Sequence, residues 1–354
     1  MNLENPCKST GEWLKGTGPL ADVVVSSRIR LARNLSDHAF LASASHTERT
    51  EIFRAISHEI AATSIAARTA LIDVDAADPI DRHLLVERHL ISRQHLAAEG
   101  SRGVNVSDDE TQALMINEED HLRIQGLRSG LQLDAIWKDV NVVDDELSSR
   151  LPFAFDDKLG YLTACPTNVG TGIRVSVMLH LPALRLTKEI ERVARAARDL
   201  KLAVRGMYGE GTEAIGDLYQ VSNQTTLGKT ETGVIETFTQ TIIPKIVDYE
   251  RVARQSLRSL HDSQVDDKIW RAFGTLTHAR RISSGETQAL LSPIRMGIHL
   301  ERFRLFDIAF LNELFLFTQP AHLQKMCGQS MDEEARAIAR ADYLRQRLSK
   351  LPVN

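Results

Sequence analysis

Residues 23–34 read VVVSSRIRLARN, a run of three valines that leads into two arginines spaced two residues apart. Valine is typical of strands, and side chains two apart on a strand point to the same face, so Arg28 and Arg30 are predicted to share one face. A guanidinium remains charged at neutral pH and presents a rigid fork of donors that matches phosphate oxygens. Taken alone, the pair favours the simpler alternative of exposed arginines on an edge strand.

Three further arginines stand beside strand-like or glycine-rich sequence: Arg123 in NEEDHLRI, Arg174 in GTGIRVSVM and Arg205 in RGMYGEG. Several guanidinium forks that converge on one cleft would hold a polyphosphate and neutralise the charge that moves during phosphoryl transfer. Each segment also has an ordinary explanation, such as a solvated acidic turn for the NEED residues. Taken singly, none of them outweighs that explanation by much.

Composition narrows the class of protein. With 354 residues the chain can bury a sizeable core, and one large domain with a smaller one is expected. A net charge of −4 argues against a broad nucleic-acid-binding surface. The three cysteines show no CxxC pair, so no disulfide framework or zinc site is indicated. Neither a signal peptide nor a membrane helix is recognisable, so a cytoplasmic setting is expected.

Hydrophobic periodicity separates a region with strands and helices from a region with helices alone. It predicts helices over 46–68, 81–89, 131–147 and 187–200, strands over 112–116, 121–125 and 201–206, and two more strands around a loop in 161–184. After about residue 254 the strand signals end. There, Ser283 and Glu286 have the spacing of a capping box, and 332–348 is predicted to form an amphipathic helix.

These patterns predict an α+β fold with three parts. Residues 1–21 form a lead-in, residues 22–254 form a catalytic domain with an antiparallel or mixed β-sheet flanked by helices, and residues 255–354 form a small all-helical domain. The helical domain has apolar stripes, which make it a plausible dimer interface.

The segments SSRIR, NEEDHLRI, CPTNVGTG-x-R-x-SVM and RG-x-x-GE, in this order, resemble the ATP:guanidino phosphotransferases, the fold family of creatine and arginine kinases. The resemblance covers about residues 22–254 and implies the glutamine synthetase/guanido kinase-like fold. SSRIR stands near the N-terminus, without the small helical domain that precedes it in the metabolic enzymes, and a helical extension follows residue 254. In this arrangement the chain is similar to the bacterial protein arginine kinases, and a more open cleft could admit an arginine on a polypeptide.

The resemblance implies a role for each matched residue. Glu119 and Glu210 would clamp the acceptor guanidinium, and Cys165 would lie next to it. The nucleotide would be bound by His89 and by three segments: Ser26, Ser27, Arg28, Ile29 and Arg30; Arg123 with Arg174, Val175, Ser176, Val177 and Met178; and Arg205, Gly206, Met207, Tyr208 and Gly209. Without the surrounding match, His89 would be read as an ordinary helix-surface histidine and Cys165 as a buried apolar residue.

The chemistry of the acceptor supports a pair of carboxylates. A guanidinium has a pKa above about 12, so it is protonated and not nucleophilic at neutral pH. Two carboxylates can orient it and accept the proton that leaves as the N–P bond forms. Alignment and cationic charge around the transferred group would supply most of the acceleration. Mg²⁺ would arrive with ATP, since no dedicated ligand set for a metal is recognisable.

A second arginine pair lies in the predicted C-terminal helix. Residues 336–341 read RAIARA and resemble a segment written RDxxRA in protein arginine kinases, where it forms an allosteric pocket for phosphoarginine. Arg336 and Arg340 are kept, but Ala337 replaces the aspartate that would engage the guanidino nitrogens. The alternative is a solvated helix face.

We therefore predict an ATP-dependent protein arginine kinase that marks client proteins for Clp-type proteolysis. The alternatives are a phosphagen kinase acting on a small guanidine and an inactive phosphoarginine-binding adaptor. The resemblance implies arginine-bearing protein substrates, a Clp-type unfoldase or protease and a zinc-binding activator as partners. A homodimer is expected, and neither membrane nor direct nucleic-acid binding is.

Overall fold

The structure is a computed structural model that describes residues 9–206, 214–303 and 307–349. In this part of the chain, eight strands form one antiparallel sheet in the order β2-β3-β4-β5-β1-β8-β10-β9, and β6 and β7 form a separate hairpin. The strands are β1 Val24–Arg33, β2 Thr69–Asp73, β3 Gly103–Ser107, β4 Gln112–Ile116, β5 Leu122–Ser129, β6 Phe155–Asp156, β7 Gly160–Tyr161, β8 Ile173–His180, β9 Leu202–Gly206 and β10 Leu218–Asn223.

Helices flank this sheet and make up the C-terminal region. The α-helices are α1 His46–Ile60, α2 Pro79–Glu87, α3 Arg93–Ala97, α4 Leu133–Ser148, α5 Pro182–Leu186, α6 Ile190–Asp199, α7 Glu231–Glu236, α8 Ile243–Leu260, α9 Asp262–His278, α10 Ser284–His299, α11 Ile308–Phe317, α12 Pro320–Cys327 and α13 Glu333–Leu348. A π-helical turn, Thr237–Ile242, joins α7 to α8. The predicted α+β class, with an antiparallel sheet, is confirmed.

Strand β1 is central in the sheet, between β5 and β8, and is not an edge strand. Its side chains alternate as predicted. Ile29 and Leu31 are fully buried in the main apolar core, whereas Arg28 and Arg30 line a cavity on the other face. One strand therefore contributes both to the core and to the polar face of the sheet.

The apolar face of the sheet is covered by α1 and α4. Ile52 and Ile56 of α1 and Ile136 and Val140 of α4 are buried in the same core. A Cβ atom at Gly126 of β5 would lie 2.5 Å from Ile136 Cγ2, so only glycine permits this close approach of α4. The resulting packing fixes which face of β5 is turned toward the cavity.

Two predicted elements have different bounds in the structure. The helix predicted over 46–68 ends at Ile60, where the Thr63 hydroxyl donates to the Ile60 carbonyl at 2.6 Å, and 69–73 form strand β2 on β3. The two strands predicted in 161–184 are also wrong in part. Only β8 is long, because Pro166 has no N–H to donate and the Ala164 N–H donates to Asp120 Oδ1 at 2.7 Å.

Other predictions hold within a few residues. β4 and β5 pair as a hairpin around the acidic turn, and α2, α4, α6 and β9 lie where helices and a strand were expected, with α6 beginning at Ile190. Ser283 caps α10 by accepting from the Glu286 N–H at 3.1 Å. Helix α13 spans Glu333–Leu348, and Leu344 and Leu348 are buried.

The C-terminal helices pack directly against the sheet. Their apolar cluster includes Trp13 and Leu14 of the N-terminal segment and Val25, Leu127 and Met178 of the sheet. The boundary predicted near residue 254 falls inside α8, which is continuous from Ile243 to Leu260. The three-part division therefore stays a prediction. Among the described residues, no helix combines the length and apolarity that crossing a bilayer requires.

Candidate active site

A cavity of about 740 Å³ lies over the polar face of β5, β1, β8, β10 and β9. The sequence-predicted residues that line it are Arg28, Arg30, His89, Glu119, Arg123, Cys165, Arg174 and Arg205. They come from positions between 28 and 205 of the chain. The sheet therefore brings side chains that are far apart in the sequence into one cavity.

The register of the sheet aligns the arginines. Arg30 of β1 lies directly opposite Arg174 of β8, and Arg123 of β5 lies opposite Ala32 of β1. Arg205 of β9 lies opposite Gln220 of β10. Because paired residues on adjacent strands share a face, these side chains lie on the same face of the sheet and line the cavity together.

Arg28 is held by neutral groups. Its Nη2 donates to Gln220 Oε1 at 2.8 Å and its Nε donates to Ser176 Oγ at 3.3 Å. Burial, and then the charges of Arg174 and Arg123, lower the pKa of Arg28 to about 10. The same causes, with Arg28 as a further cation, lower the pKa of Arg30. Since a guanidinium in a protein stays protonated at neutral pH, these two side chains concentrate positive charge in the cavity.

The three carboxylates of the acidic turn 118–120 differ in burial and in their partners. Glu118 is buried, with a side chain 1% exposed, and accepts from the Ser92 hydroxyl at 2.5 Å and from Arg123 Nη1 at 2.6 Å. Burial raises the pKa of Glu118, but Arg123 and the hydrogen bonds outweigh it and lower the pKa overall. Glu119 has a side chain 31% exposed in the cavity and contacts Arg123 Nη2 at 2.8 Å. It is the carboxylate that an incoming cation can reach.

Asp120 ties this turn to the loop that contains Cys165. Its Oδ1 accepts from Asn34 Nδ2 at 2.8 Å and from the Ala164 N–H at 2.7 Å. The Cys165 thiol lies 3.0 Å from the Thr167 hydroxyl at the edge of the cavity, and the cysteine forms no disulfide. The predicted neighbours Glu119 and Cys165 therefore line the same cavity.

His89 enters the cavity from the turn after α2. Its φ angle is +58°, which is rare for a residue other than glycine. Its ring packs edge-on against Trp13 with centroids 4.5 Å apart. Burial, followed by the charges of Arg28 and Arg93, lowers the pKa of His89 to about 3, so the ring is neutral at physiological pH.

Several predicted nucleotide-binding residues do not line this cavity. Ile29, Val175 and Val177 are buried in the main core, and Met178 packs in the C-terminal apolar cluster. Ser26 is buried, and Ser27 donates to the Gly130 carbonyl at 2.5 Å. Ser176 reaches the site only through Arg28, and Gly206 ends β9. The predicted Met207, Tyr208, Gly209 and Glu210 lie outside the described residues.

Sequence reasoning missed part of the lining. Glu118, Arg93, Gln94, Asn168, Gln220, Gln224 and Thr225 also line the cavity. Gln220 could have been found only from the pairing of β10 with β8, which no local pattern specifies. Glu118 was visible in the NEED turn, but only burial distinguishes it from Glu119.

The predicted allosteric pair lies on α13, away from this cavity. Arg340 is 3% exposed, and it donates to the carbonyls of Thr318 at 2.7 Å and Ile282 at 3.0 Å. Burial and then Arg336 lower the pKa of Arg340 to about 10. Arg336 donates to the Met331 carbonyl at 2.5 Å. The fully solvated helix face considered as the alternative does not describe Arg340.

Comparison with known proteins covers both regions of the chain. The family described as "ATP:guanido phosphotransferase, C-terminal catalytic domain" matches residues 51–253, and that described as "Protein-arginine kinase McsB C-terminal domain" matches residues 262–354. A protein-arginine kinase of Symbiobacterium thermophilum is 46% identical over 345 residues, covering 97% of this chain and 98% of that protein. One from Moorella thermoacetica is 43% identical over 352 residues, covering 99% of each.

Solved structures share the fold over about two thirds of the chain or more. A lombricine kinase matches with a TM-score of 0.58 and 26% identity, over 72% of this chain and 71% of that chain. A duplicated taurocyamine kinase of Schistosoma mansoni, with bound transition state analog components, matches with a TM-score of 0.58 and 29% identity, over 67% of this chain and 34% of that chain.

Proposed function

We propose that the arginine-lined cavity is the site where ATP transfers its γ-phosphoryl group to an arginine side chain of a protein. The premise is that this chain belongs to the ATP:guanido phosphotransferase family and is a protein arginine kinase. The observation that supports this location is the charge balance of the cavity floor. Among the described residues, no carboxylate lies within ion-pair distance of Arg28 or Arg30, although both are partly enclosed beside further cations. A triphosphate supplies the missing negative charge.

The arginines hold and align the phosphates. Arg30 and Arg174 offer forked donors side by side on adjacent strands, and Arg28 lies two residues along β1. Arg123 of β5 and Arg205 of β9 line the same cavity. Fixed donors of this kind stabilise charge on the transferred group without reorganising during the reaction. A magnesium ion bound to ATP would neutralise further charge on the phosphates. The described residues offer no group of three or more His, Cys, Asp or Glu side chains placed for a metal, so its ligands would come mainly from the nucleotide.

Glu119 receives the acceptor. Its carboxylate is the exposed member of the acidic turn, and Arg123 fixes its position from below. An arriving guanidinium pairs with this carboxylate, which orients one nitrogen toward the phosphorus and accepts its proton as the N–P bond forms and the bond to ADP breaks. Glu210 is proposed as the second carboxylate on the strength of the sequence resemblance alone.

We further propose phosphoarginine binding at Arg336 and Arg340, a homodimer, a Clp-type protease and a zinc-binding activator as partners, and a cytoplasmic location. The resemblance described above supports these points. Arg340 donates to neutral carbonyls of the fold, and the charge of Glu87 also favours its cationic form.

The direct test compares acceptors. The protein is incubated with ATP, Mg²⁺ and an unfolded arginine-rich protein, with a copy in which every arginine is lysine, and with free arginine. We expect acid-labile phosphoarginine on the first acceptor alone, and a fall in kcat of about a thousandfold in Glu119→Gln. Turnover of free arginine without turnover of protein would favour a phosphagen kinase instead.

A further inference from the structure

The end of α2 lies between the cavity and the C-terminal helices. The helix ends at Glu87, Arg88 is its C-terminal cap, and His89 lines the cavity. Three consecutive residues therefore connect a contact with the C-terminal region to a residue of the site. The reaction described above gives no role to Glu87 or to its partner on α12.

Glu87 is bound by three donors of the C-terminal region. Its Oε1 accepts from the Ala321 N–H at 2.7 Å, and its Oε2 accepts from the His322 N–H at 3.0 Å and from His322 Nδ1 at 2.7 Å. Glu87 is 8% exposed and His322 is fully buried. Charge-assisted hydrogen bonds in such surroundings are among the strong ones, so this contact fixes the end of α2 against the start of α12.

Arg88 closes the same joint from the other side. Its guanidinium makes a bidentate contact with Glu110, with distances of 2.8 to 3.0 Å, and donates to the Ser9 carbonyl at 3.0 Å. Its Nη1 lies 3.2 Å from His322 Nε2. Because the Arg88 guanidinium can only donate hydrogen bonds, the His322 Nε2 atom is the acceptor, and the proton lies on Nδ1, which donates to Glu87. His322 is thereby fixed in one neutral tautomer.

The next residue is held in a strained conformation. A positive φ is unfavourable for a residue other than glycine, and His89 has a φ of +58°. Its carbonyl accepts from Gln125 Nε2 at 2.7 Å, and its ring packs on Trp13. A conformation of this kind persists only where its neighbours fix it on both sides. On the N-terminal side, Glu87 and Arg88 are those neighbours.

We propose that Glu87 and His322 are positioning residues for His89, so that nucleotide binding in the cavity requires α12 of the C-terminal region to be docked on α2. The proposal rests on the proposed nucleotide site. If the Glu87 contact is lost, the turn relaxes toward an ordinary φ and the imidazole moves away from the cavity. Glu119 pairs with Arg123 of β5 and not with the turn that carries His89, so the effect on acceptor binding should be small.

The first experiment uses the full-length protein and Glu87→Gln, which keeps the shape but places an amide donor opposite three donors. We expect the KM and Kd for ATP to rise about tenfold, with the acceptor KM and the kcat at saturating ATP within twofold. The matched control is Lys325→Met. Its ammonium pairs with Asp81 at 2.6 Å and joins the same two helices at the other end of α2. It should leave ATP binding unchanged.

A second pair of variants keeps the test decisive if Glu87→Gln does not fold. In His322→Asn the amide nitrogen can replace Nδ1 as the donor to Glu87, and wild-type ATP affinity is expected. In His322→Leu the donor is lost, and ATP affinity should fall about tenfold. A lower melting temperature with unchanged ATP affinity in His322→Leu would show that the joint is purely structural and would overturn the proposal.

Trp13 gives a spectroscopic reading of the same joint. In a Trp137→Phe/Trp270→Phe background it is the remaining tryptophan, and its ring contacts His89. We expect Glu87→Gln to change Trp13 emission and the Lys325→Met control to leave it unchanged. Arg28→Gln distinguishes an error in the location of the nucleotide site from an error in the positioning role of Glu87. If this variant binds ATP normally, the nucleotide site itself is misplaced, whereas if only Glu87→Gln binds normally, only the positioning role fails.

Discussion

Arg30 and Arg33 lie three residues apart on β1 and therefore on opposite faces of the sheet, where they have different partners. Arg33 is 1% exposed, makes two hydrogen bonds to Asp144 of α4 at 2.6 and 2.9 Å, and stacks on Tyr161 with its guanidinium carbon 3.5 Å from the ring centroid. Arg30 faces the cavity among Arg28, Arg123 and Arg174, and its Nε makes no hydrogen bond within the described residues.

This comparison distinguishes a structural arginine from a ligand-binding one. A structural arginine is neutralised by a carboxylate of the fold, so removing it leaves an uncompensated buried charge. The cavity arginine repels its neighbours until an anion arrives, so removing it should relieve the free protein and harm the complex. The two residues should therefore respond to the same substitution in opposite ways.

The largest effect is expected on the core face. Arg33→Met strands the Asp144 carboxylate, which is buried at 6% exposure, and should lower the free energy of unfolding by about 3–5 kcal/mol. Urea unfolding followed by circular dichroism measures it. The double variant Arg33→Met/Asp144→Leu should recover much of the loss. A single variant as stable as wild type would break the distinction.

The next effect is expected on the cavity face. Arg30→Met removes charge-assisted hydrogen bonds to phosphate worth about 1.5–3 kcal/mol, which corresponds to a loss of ATP affinity of about 10- to 150-fold. The stability of the ATP-free protein should be unchanged or higher, since Arg28, Arg123 and Arg174 lose a like charge. Calorimetric titration with ATP and thermal unfolding without it give both values. A destabilised free protein would place Arg30 in the structural class.

The smallest effect concerns pH and His89. Its pKa is about 3 in the folded protein and near 6.5 when unfolded, so only the unfolded chain takes up this proton as the pH falls below 6.5. The stability that depends on the neutral ring is fully present above about pH 6.5 and is lost as the pH falls toward 3. Between pH 6.5 and 5.5 the loss is about 1 kcal/mol.

Urea unfolding at these two pH values tests this contribution. His89→Gln should lose about 1 kcal/mol less stability than wild type over the interval. Equal losses in the two proteins would show that His89 is not the titrating group.

Local patterns were sufficient for the parts of the site that depend on nearby residues. The two-residue period of strands predicted that Arg28 and Arg30 share a face. Strand patterns on either side of the acidic turn predicted the hairpin of β4 and β5. The resemblance then related separate segments to one cleft, and the cavity contains eight of the predicted residues.

Long-range pairing was not accessible in the same way. That Arg30 lies opposite Arg174 depends on a register between strands 144 positions apart along the chain, and no local pattern sets that register. Of the two strands predicted around a loop in 161–184, the first is short because Asp120, far away in sequence, takes the Ala164 N–H that a strand partner would have used. The contact of Glu87 with His322 spans 235 residues and left no local signal at all.

The central place of β1 has one more consequence. Because the strand is paired on both sides, a single inserted residue near Ile29 would turn Arg30 toward α4 and an apolar side chain toward the phosphates. Solubility and turnover would then be lost together. Insertions and deletions should therefore be tolerated in the loops of related enzymes but not within β1.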